Sequence, residues 1–516
     1  MLILMTTILL IIGNIHAQNK RTRSKFKAVI LEGRITDSLI KHLPGGKSTL
    51  YVTISPYPFS VLNMAGAKAD HYEVVVKHNE MFKLRIPPPT KRFYMYIEYQ
   101  AAFGLEQSDV SWSWADNIYI LDQGDSIHVE LGKDLYKFSG RGAEKLNCES
   151  EIYKNTFIGY GRSDTDEEQL MFERGDYKNY NAIIDHKMDS LLILQKAIVD
   201  KYRGSLGDEL SKILLANCYG QRYYAMLRSY RLRETMGYKD VPVYRSAVIE
   251  GSGYRNIDFG LLNKIKPDIL VQSPLFVDAV FEKIRFDNFV VDDKKVIQIP
   301  IYLKQTFNDI KIHYSGVVRD KLLALFFVNL SRANTGLDYL EEAISLCGPT
   351  IYKTILLDLK RTKTKGRPFY PFELPDTKGN MVKLANFGSK VIILDFWYTG
   401  CENCVNLHHN MKVIHEKFSN DPNVAFVSIS IDKDRTNWVK SVSKGIYTDP
   451  GDVNLYTNGQ AAKHPLLTKY AIESFPTVFV LKNGKIISSN PSLQLDQAGI
   501  KQFADLIENA ISDKSF

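Results

Sequence analysis

Between residues 26 and 146, apolar and polar positions alternate in short runs at 50–55, 71–77, 82–86, 93–99 and 118–121. A strand turns successive side chains to opposite faces, so a two-residue period predicts strands with one buried face. Gly46, Gly66, Pro87 to Pro89, Gly104 and Gly124 punctuate the runs. Five or more strands at this spacing predict an all-β, sandwich-like N-terminal domain. From about 149 to 360 the period changes. Apolar residues recur every three or four positions in 180–202, 207–236, 274–289, 317–330 and 337–359, the spacing of amphipathic helices packed on one another, so this middle region is expected to be mainly α. The aromatic run at 223–230 then reads as a core stripe. Residues 361–371, RTKTKGRPFYP, combine charge with proline and glycine and read as a linker.

From 372 to 516 the two periods alternate. A hairpin turning at Lys378-Gly379-Asn380 precedes a strand at 391–397, a helix at 402–418 and a strand at 424–431. Helices at 435–444 and 465–470 follow, then strands at 477–481 and 485–489 joined by Asn483-Gly484, and a closing helix at 495–511. Strands alternating with helices predict an α/β C-terminal domain.

The chain has 516 residues, 45% of them hydrophobic, enough for several packed domains. Residues 1–17, MLILMTTILLIIGNIHA, are apolar but short for a membrane span, and end close to a small-residue cleavage pattern. They are expected to be a signal peptide, with an uncleaved N-terminal membrane anchor as the alternative. The formal charge is +8, yet residues 366–516 hold 16 basic against 15 acidic residues, and the upstream excess is dispersed. Phosphate recognition needs a concentrated basic face, so no nucleic-acid partner is expected. The aromatics outside the core stripe, Trp112 and Trp114 among them, are expected to serve strand packing.

Of the five cysteines, Cys148, Cys218 and Cys347 are scattered and expected to be buried free thiols, with a Cys148 to Cys218 bridge left open. Cys401 and Cys404 form the one C-x-x-C, placed where the apolar strand 391–397 gives way to a helix. A thiol in a helix's first turn meets unpaired N–H groups and the positive end of the dipole, which favour thiolate. Cys401 is therefore the expected nucleophile. Cys404, three residues on, can close a disulfide with it. Asp395 interrupts the strand; a carboxyl buried there should hold its proton more tightly than usual and can act as the base for Cys404. Pro476 opens the strand at 477, a position that tolerates a cis bond.

DFWYTGCENC at 395–404, with SFPT about seventy residues later, resembles the thioredoxin-fold domain of the TlpA-like thiol-disulfide oxidoreductases over roughly residues 366–515. The resemblance implies attacking and resolving thiols at Cys401 and Cys404, a buried acid at Asp395 and an aromatic beside the site at Trp397. It implies a cis-proline at Pro476 whose neighbouring backbone, at Phe475, pairs with substrate. It also implies an enzyme of the periplasm or cell envelope, with disulfide-containing exported proteins as substrates, a membrane electron donor as partner, and no cofactor or metal. A segment around 121–142 resembles N-terminal domains of unassigned role in such proteins. Two positions depart from the pattern. Asn403 stands where thioredoxins carry proline, and Leu407 where cytochrome c maturation members carry glutamate. Three other readings compete. Zinc held by the two cysteines with His408, His409 or His415 leaves Asp395 and Pro476 unexplained. A peroxidase would need threonine where Tyr398 stands. A binding or scaffold protein with an accessory redox domain would place the function in the first 365 residues.

Overall fold

The computed structural model describes residues 26–37, 40–41, 44–59, 69–99, 118–132, 136–156, 166–235, 241–288, 299–330, 339–363, 365–461, 464–470, 472, 475–489 and 497–513. The expected signal peptide and Trp112 and Trp114 lie outside them. The chain divides into two units near Phe286 and Asp287.

In the first unit the alternating pattern becomes eight strands among the described residues: β1 (Val29–Ile35), β2 (Lys47–Ser55), β3 (Asp70–Lys77), β4 (Met81–Ile86), β5 (Arg92–Tyr99), β6 (Ile118–Asp122), β7 (Ser126–Leu131) and β8 (Tyr136–Arg141). They form two four-stranded sheets, ordered β4-β1-β7-β8 and β3-β2-β5-β6. Strands β1, β7 and β8 were not read from the sequence. In β1 charged Glu32 and Arg34 occupy outward positions, and Gly33 interrupts the buried side that Val29, Leu31 and Ile35 share. Gly33 faces Val129 across the β1–β7 pairing, where a Cβ would come within 1.9 Å of the Val129 carbonyl oxygen.

The helical region of this unit holds α1 (Ala143–Thr156), α2 (Asp166–Glu173), α3 (Tyr177–Thr235), α4 (Val241–Glu250) and α5 (Phe276–Asn288), with one-turn helices between α4 and α5. The helices expected at 180–202 and 207–236 are continuous in α3 except at Gly207, whose φ of 74° breaks the helical path. Tyr223, Tyr224, Met226, Leu227 and Tyr230 enter a common core with Tyr177, Tyr180 and Tyr244, as the stripe predicted. Cys148 and Cys218 are buried free thiols here, and so is Cys347 in the other unit.

The second unit begins with α6 (Ile299–His313), α7 (Gly316–Leu330), α8 (Leu340–Leu346) and α9 (Ile351–Lys363). The single helix expected at 337–359 is thus two. Pro349 lacks the N–H a helix needs, and the Gly348 N–H and Thr350 hydroxyl donate instead to the Asp320 carboxylate, at 3.1 and 2.9 Å. Helix α9 continues to Lys363, so the first residues of the expected linker are helical.

The rest of the unit is β9 (Glu373–Pro375), β10 (Met381–Lys383), β11 (Val391–Trp397), α10 (Glu402–Phe418), β12 (Val424–Ser430), α11 (Arg435–Lys444), β13 (Val453–Tyr456), α12 (Pro465–Tyr470), β14 (Thr477–Lys482), β15 (Lys485–Ser489) and α13 (Gln497–Ser512). The β9–β10 hairpin turns on Asp376, whose carboxylate accepts the N–H groups of Lys378 and Asn380. The other five strands form one sheet, β13-β12-β11-β14-β15. β11 lies at its centre, parallel to β12 and antiparallel to β14. The alternation along β11 splits its side chains between two cores. Val391 and Ile393 pack with Leu407, Ile414 and Phe418 of α10 and Phe503 and Ile507 of α13. Ile392, Leu394 and Phe396 pack on the other face with Leu466, Leu467 and Tyr470 of α12. Strand β13 escaped the sequence reading because VNLY is short and carries a buried asparagine.

Phe479 is buried among the rings of Phe369, Phe396 and Tyr470. We expect Phe479→Ala to leave a cavity and cost about 3–5 kcal/mol of domain stability, read as a lower urea midpoint.

Candidate active site

The carboxyl end of β11 delivers Tyr398-Thr399-Gly400 and then Cys401, the N-cap residue of α10. Gly400 has a φ of 98°, a backbone state that side-chain-bearing residues rarely adopt, and the chain reverses there into the helix. Thr399 N–H donates to Asp432 Oδ1 at 2.9 Å, and Thr399 Oγ1 lies 2.8 Å from both Asp432 Oδ2 and Ser441 Oγ. Gly400 N–H donates to the Tyr447 hydroxyl at 2.9 Å. Four hydrogen bonds to three residues beyond β12, Asp432, Ser441 and Tyr447, therefore hold the turn.

Cys401 and Cys404 are joined in a disulfide, with Cα atoms 5.2 Å apart. Cys404 N–H donates to Cys401 Sγ at 3.1 Å, so this sulfur caps a helix N-terminus, the environment that stabilises a thiolate when the bond is reduced. Both cysteines are buried, 4% and 2% exposed, whereas the intervening Glu402 and Asn403 are exposed. Trp397, Trp438, Val442 and Tyr456 pack around the sulfurs.

Asp395 lies two residues before Trp397 on the α10 side of the sheet. The residue keeps partial solvent contact, but its carboxyl is enclosed by protein, and burial pushes it up to about 7. A hydrogen bond from the Ser428 hydroxyl, 3.3 Å from Oδ2, opposes the rise, and the Asp452 charge adds to it. A carboxyl with that proton affinity can take and return a proton near neutral pH.

The Phe475–Pro476 bond is cis. Strand β14 starts at the next residue and pairs Thr477 with Phe396. Phe475 meets the exposed ring of Tyr398 edge-on at 5.5 Å. Trp397, expected beside the site, is fully buried and stacks on Tyr447 at 4.9 Å. The aromatic surface open near the disulfide is therefore Tyr398 with Phe475. The sequence reading missed Tyr398, Tyr447, Asp432 and Ser428. Tyr447 and Asp432 lie in connecting segments without periodicity, and Ser428 is visible only once strand register places it beside Asp395.

Among the described residues, no three His, Cys, Asp or Glu side chains converge as a metal-ligand set. His415 is paired with Asp452 at 2.7 Å, and burial lowers His408.

Residues 388–487 match a family model described as thioredoxin-like. The C-terminal domain is thioredoxin-like. No curated protein matches the chain. Solved structures similar to it include a thiol-disulfide oxidoreductase from Bacteroides fragilis NCTC 9343, 21% identical, covering 27% of this chain and 99% of that one at a TM-score of 0.24. The thioredoxin domain of a thiol-disulfide oxidoreductase from Bacteroides vulgatus, also 21% identical, covers 27% and 98% at 0.24. A thiol:disulfide interchange protein from Bacteroides sp., again 21% identical, covers 30% and 93% at 0.25. The thioredoxin-like domain is preceded by a helix-rich middle region and a β-sheet N-terminal region.

The raised Asp395 carboxyl makes stability depend on pH in a definite direction. Its value rises from 3.8 to about 7 on folding, so between these values the folded state holds the extra proton and stability falls as pH rises. We expect Asp395→Asn to stabilise the protein relative to wild type by about 2 kcal/mol at pH 8, after discounting for partial solvent contact, and by little at pH 4. Urea unfolding at the two pH values measures the difference.

Proposed function

We propose that this chain is an exported protein-disulfide oxidoreductase that reduces disulfides of extracytoplasmic proteins through Cys401 and Cys404. The observation that carries the reading is the disulfide at the N-terminus of α10, directly beyond a central strand that carries an enclosed carboxyl at Asp395. The thioredoxin-like match over 388–487 supports it. Export rests on the apolar segment 1–17. Among the described residues no helix is long and apolar enough to cross a membrane.

In the reduced protein, Cys401 thiolate attacks one sulfur of a substrate disulfide. A bond forms between Cys401 and that sulfur, and the other substrate sulfur leaves as a thiolate that takes a proton from solvent. Cys404 then gives its proton to Asp395, and its thiolate attacks Cys401 Sγ. The first substrate sulfur departs as the second thiolate, and two electrons have passed from the dithiol to the substrate. The Cys401–Cys404 bond remains, and a membrane electron donor reduces it for the next round. Phe475 and the cis-Pro476, with Tyr398 beside them, offer backbone and ring surface for the substrate segment. Trp397 supports the turn from below through Tyr447. No cofactor enters these steps.

Loss of the attacking sulfur should be the most damaging change. We expect Cys401→Ser to reduce insulin-disulfide turnover by roughly a hundredfold or more; a variant that keeps wild-type turnover sinks the reading. Cys404→Ser should instead accumulate mixed disulfides through Cys401, visible as dithiothreitol-sensitive adducts on non-reducing gels.

A further inference from the structure

Exposed aromatic surface is scarce in this structure. Among the described residues Tyr398 is the one Phe, Tyr or Trp that is exposed, at 39%, and it stands three residues before Cys401. Its carbonyl accepts the Cys401 N–H at 3.2 Å. This closes a four-residue turn with Gly400 in third place, and the ends of such a turn lie within about 7 Å of each other between α-carbons. The neighbouring side chains are committed elsewhere. Trp397 is buried against Tyr447, and the Thr399 hydroxyl meets Asp432 and Ser441. Gly400 has no side chain, and a Cβ there would meet nothing within 4 Å among the described residues. The Tyr398 ring is therefore the apolar surface that the turn presents. Phe475 backs it edge-on, with ring centroids 5.5 Å apart and planes at 89°. Phe475 itself packs against the buried cluster that holds Cys401 and Cys404. A path of contacts thus runs from the sulfur pair through Phe475 to the exposed ring.

We infer that Tyr398, backed by Phe475, is a specificity-determining residue that selects polypeptides carrying an aromatic or large aliphatic side chain beside the attacked sulfur. The inference deepens the proposed dithiol exchange and rests on it. A substrate sulfur must reach bonding distance of Cys401 Sγ, so the residues flanking the substrate cysteine pass close to the turn. Consecutive α-carbons are about 3.8 Å apart, and the turn spans no more than about 7 Å. A side chain one or two residues from the substrate cysteine therefore reaches the Tyr398 ring. Pairing two rings is favourable beyond the area it removes from water, and a large aliphatic side chain gains the area term alone. A serine or aspartate at that place has little apolar surface to bury. Because Phe475 already braces one side of the ring, the free side is held ready, and binding freezes less side-chain motion than it would on an unsupported ring. Tyr398 takes no electrons and no proton. The bond between Cys401 and the substrate sulfur forms, the substrate disulfide breaks, and the second sulfur leaves with the electron pair. The ring alters only which polypeptides bring their sulfur to Cys401.

The test uses the full-length reduced protein and two short peptides, identical except that phenylalanine precedes the cysteine in one and serine in the other. Each peptide carries its cysteine as a mixed disulfide with 5-thio-2-nitrobenzoate. Attack by Cys401 on the peptide sulfur releases the coloured thiolate, and its appearance in stopped flow gives a second-order rate constant. Dividing each constant by that for dithiothreitol with the same peptide removes differences in intrinsic reactivity. The readout is the phenylalanine-to-serine ratio, which compares two peptides on one protein and so cancels any change in thiol reactivity that a substitution brings. We expect a wild-type ratio of about threefold or more, the size an aromatic pair supplies. Tyr398→Ser should bring the ratio close to one, and Tyr398→Phe, which keeps the ring, should retain it. A wild-type ratio near one, an undiminished ratio in Tyr398→Ser, or a ratio lost in Tyr398→Phe overturns the selection by this ring. A wild-type protein that reacts with neither peptide overturns the dithiol exchange itself.

Discussion

Enclosure of the central strand on both faces is the constraint from which the C-terminal domain's chemistry follows. β11 is covered by α10 and α13 on one side and by α12 on the other, so its side chains are withdrawn from water, Asp395 least completely. That is unremarkable for valine or isoleucine and consequential for Asp395. A carboxyl placed there costs free energy when ionised, and it lies on the strand that leads to the cysteine pair, where a thiol would lose a proton in the proposed exchange. The same burial fixes the direction in which the strand delivers Cys401, since β11 is held by β12 along its whole length on one edge and by β14 on the other.

The turn beyond the strand is held from outside. Asp432, Ser441 and Tyr447 belong to the segment between β12 and β13, and they bind the backbone or hydroxyl of Thr399 and Gly400. Asp432 is itself steadied by Ser430, whose hydroxyl donates to Oδ2 at 2.9 Å. Stacking of Trp397 on Tyr447 and of Trp438 on Tyr456 fills the space beneath. A short turn that must present two sulfurs in one geometry is thus fixed by a neighbouring element, and pre-organisation of this kind lowers the entropy lost when a partner sulfur aligns.

What the sequence revealed follows from how local each signal is. Strand 391–397 and the helix after it were legible because a β-forming apolar run, a glycine and an N-cap residue occur in unbroken order. The paired cysteines and Asp395 were legible because chemistry of that kind is conspicuous inside such a run. The division of 337–359 at Pro349 was missed although its cause is local, because the apolar spacing continues through the break while Asp320 on another helix captures the freed groups. Strand β1 was hidden by the glycine that its close approach to Val129 requires. The burial of Trp397 and the contribution of Tyr447 depend on tertiary packing, and no period or motif in the chain encodes them.

Burial of the two cysteines contrasts with the exposure of the residues between them. Glu402 is an exposed carboxylate in the first turn of the helix, so in the proposed exchange an approaching polypeptide meets a negative charge beside the buried sulfurs. At low ionic strength such a charge favours cystines flanked by lysine or arginine over those flanked by aspartate or glutamate. In the proposed exchange, the dipeptide between the cysteines would sort cystines by the charge of the residues beside them.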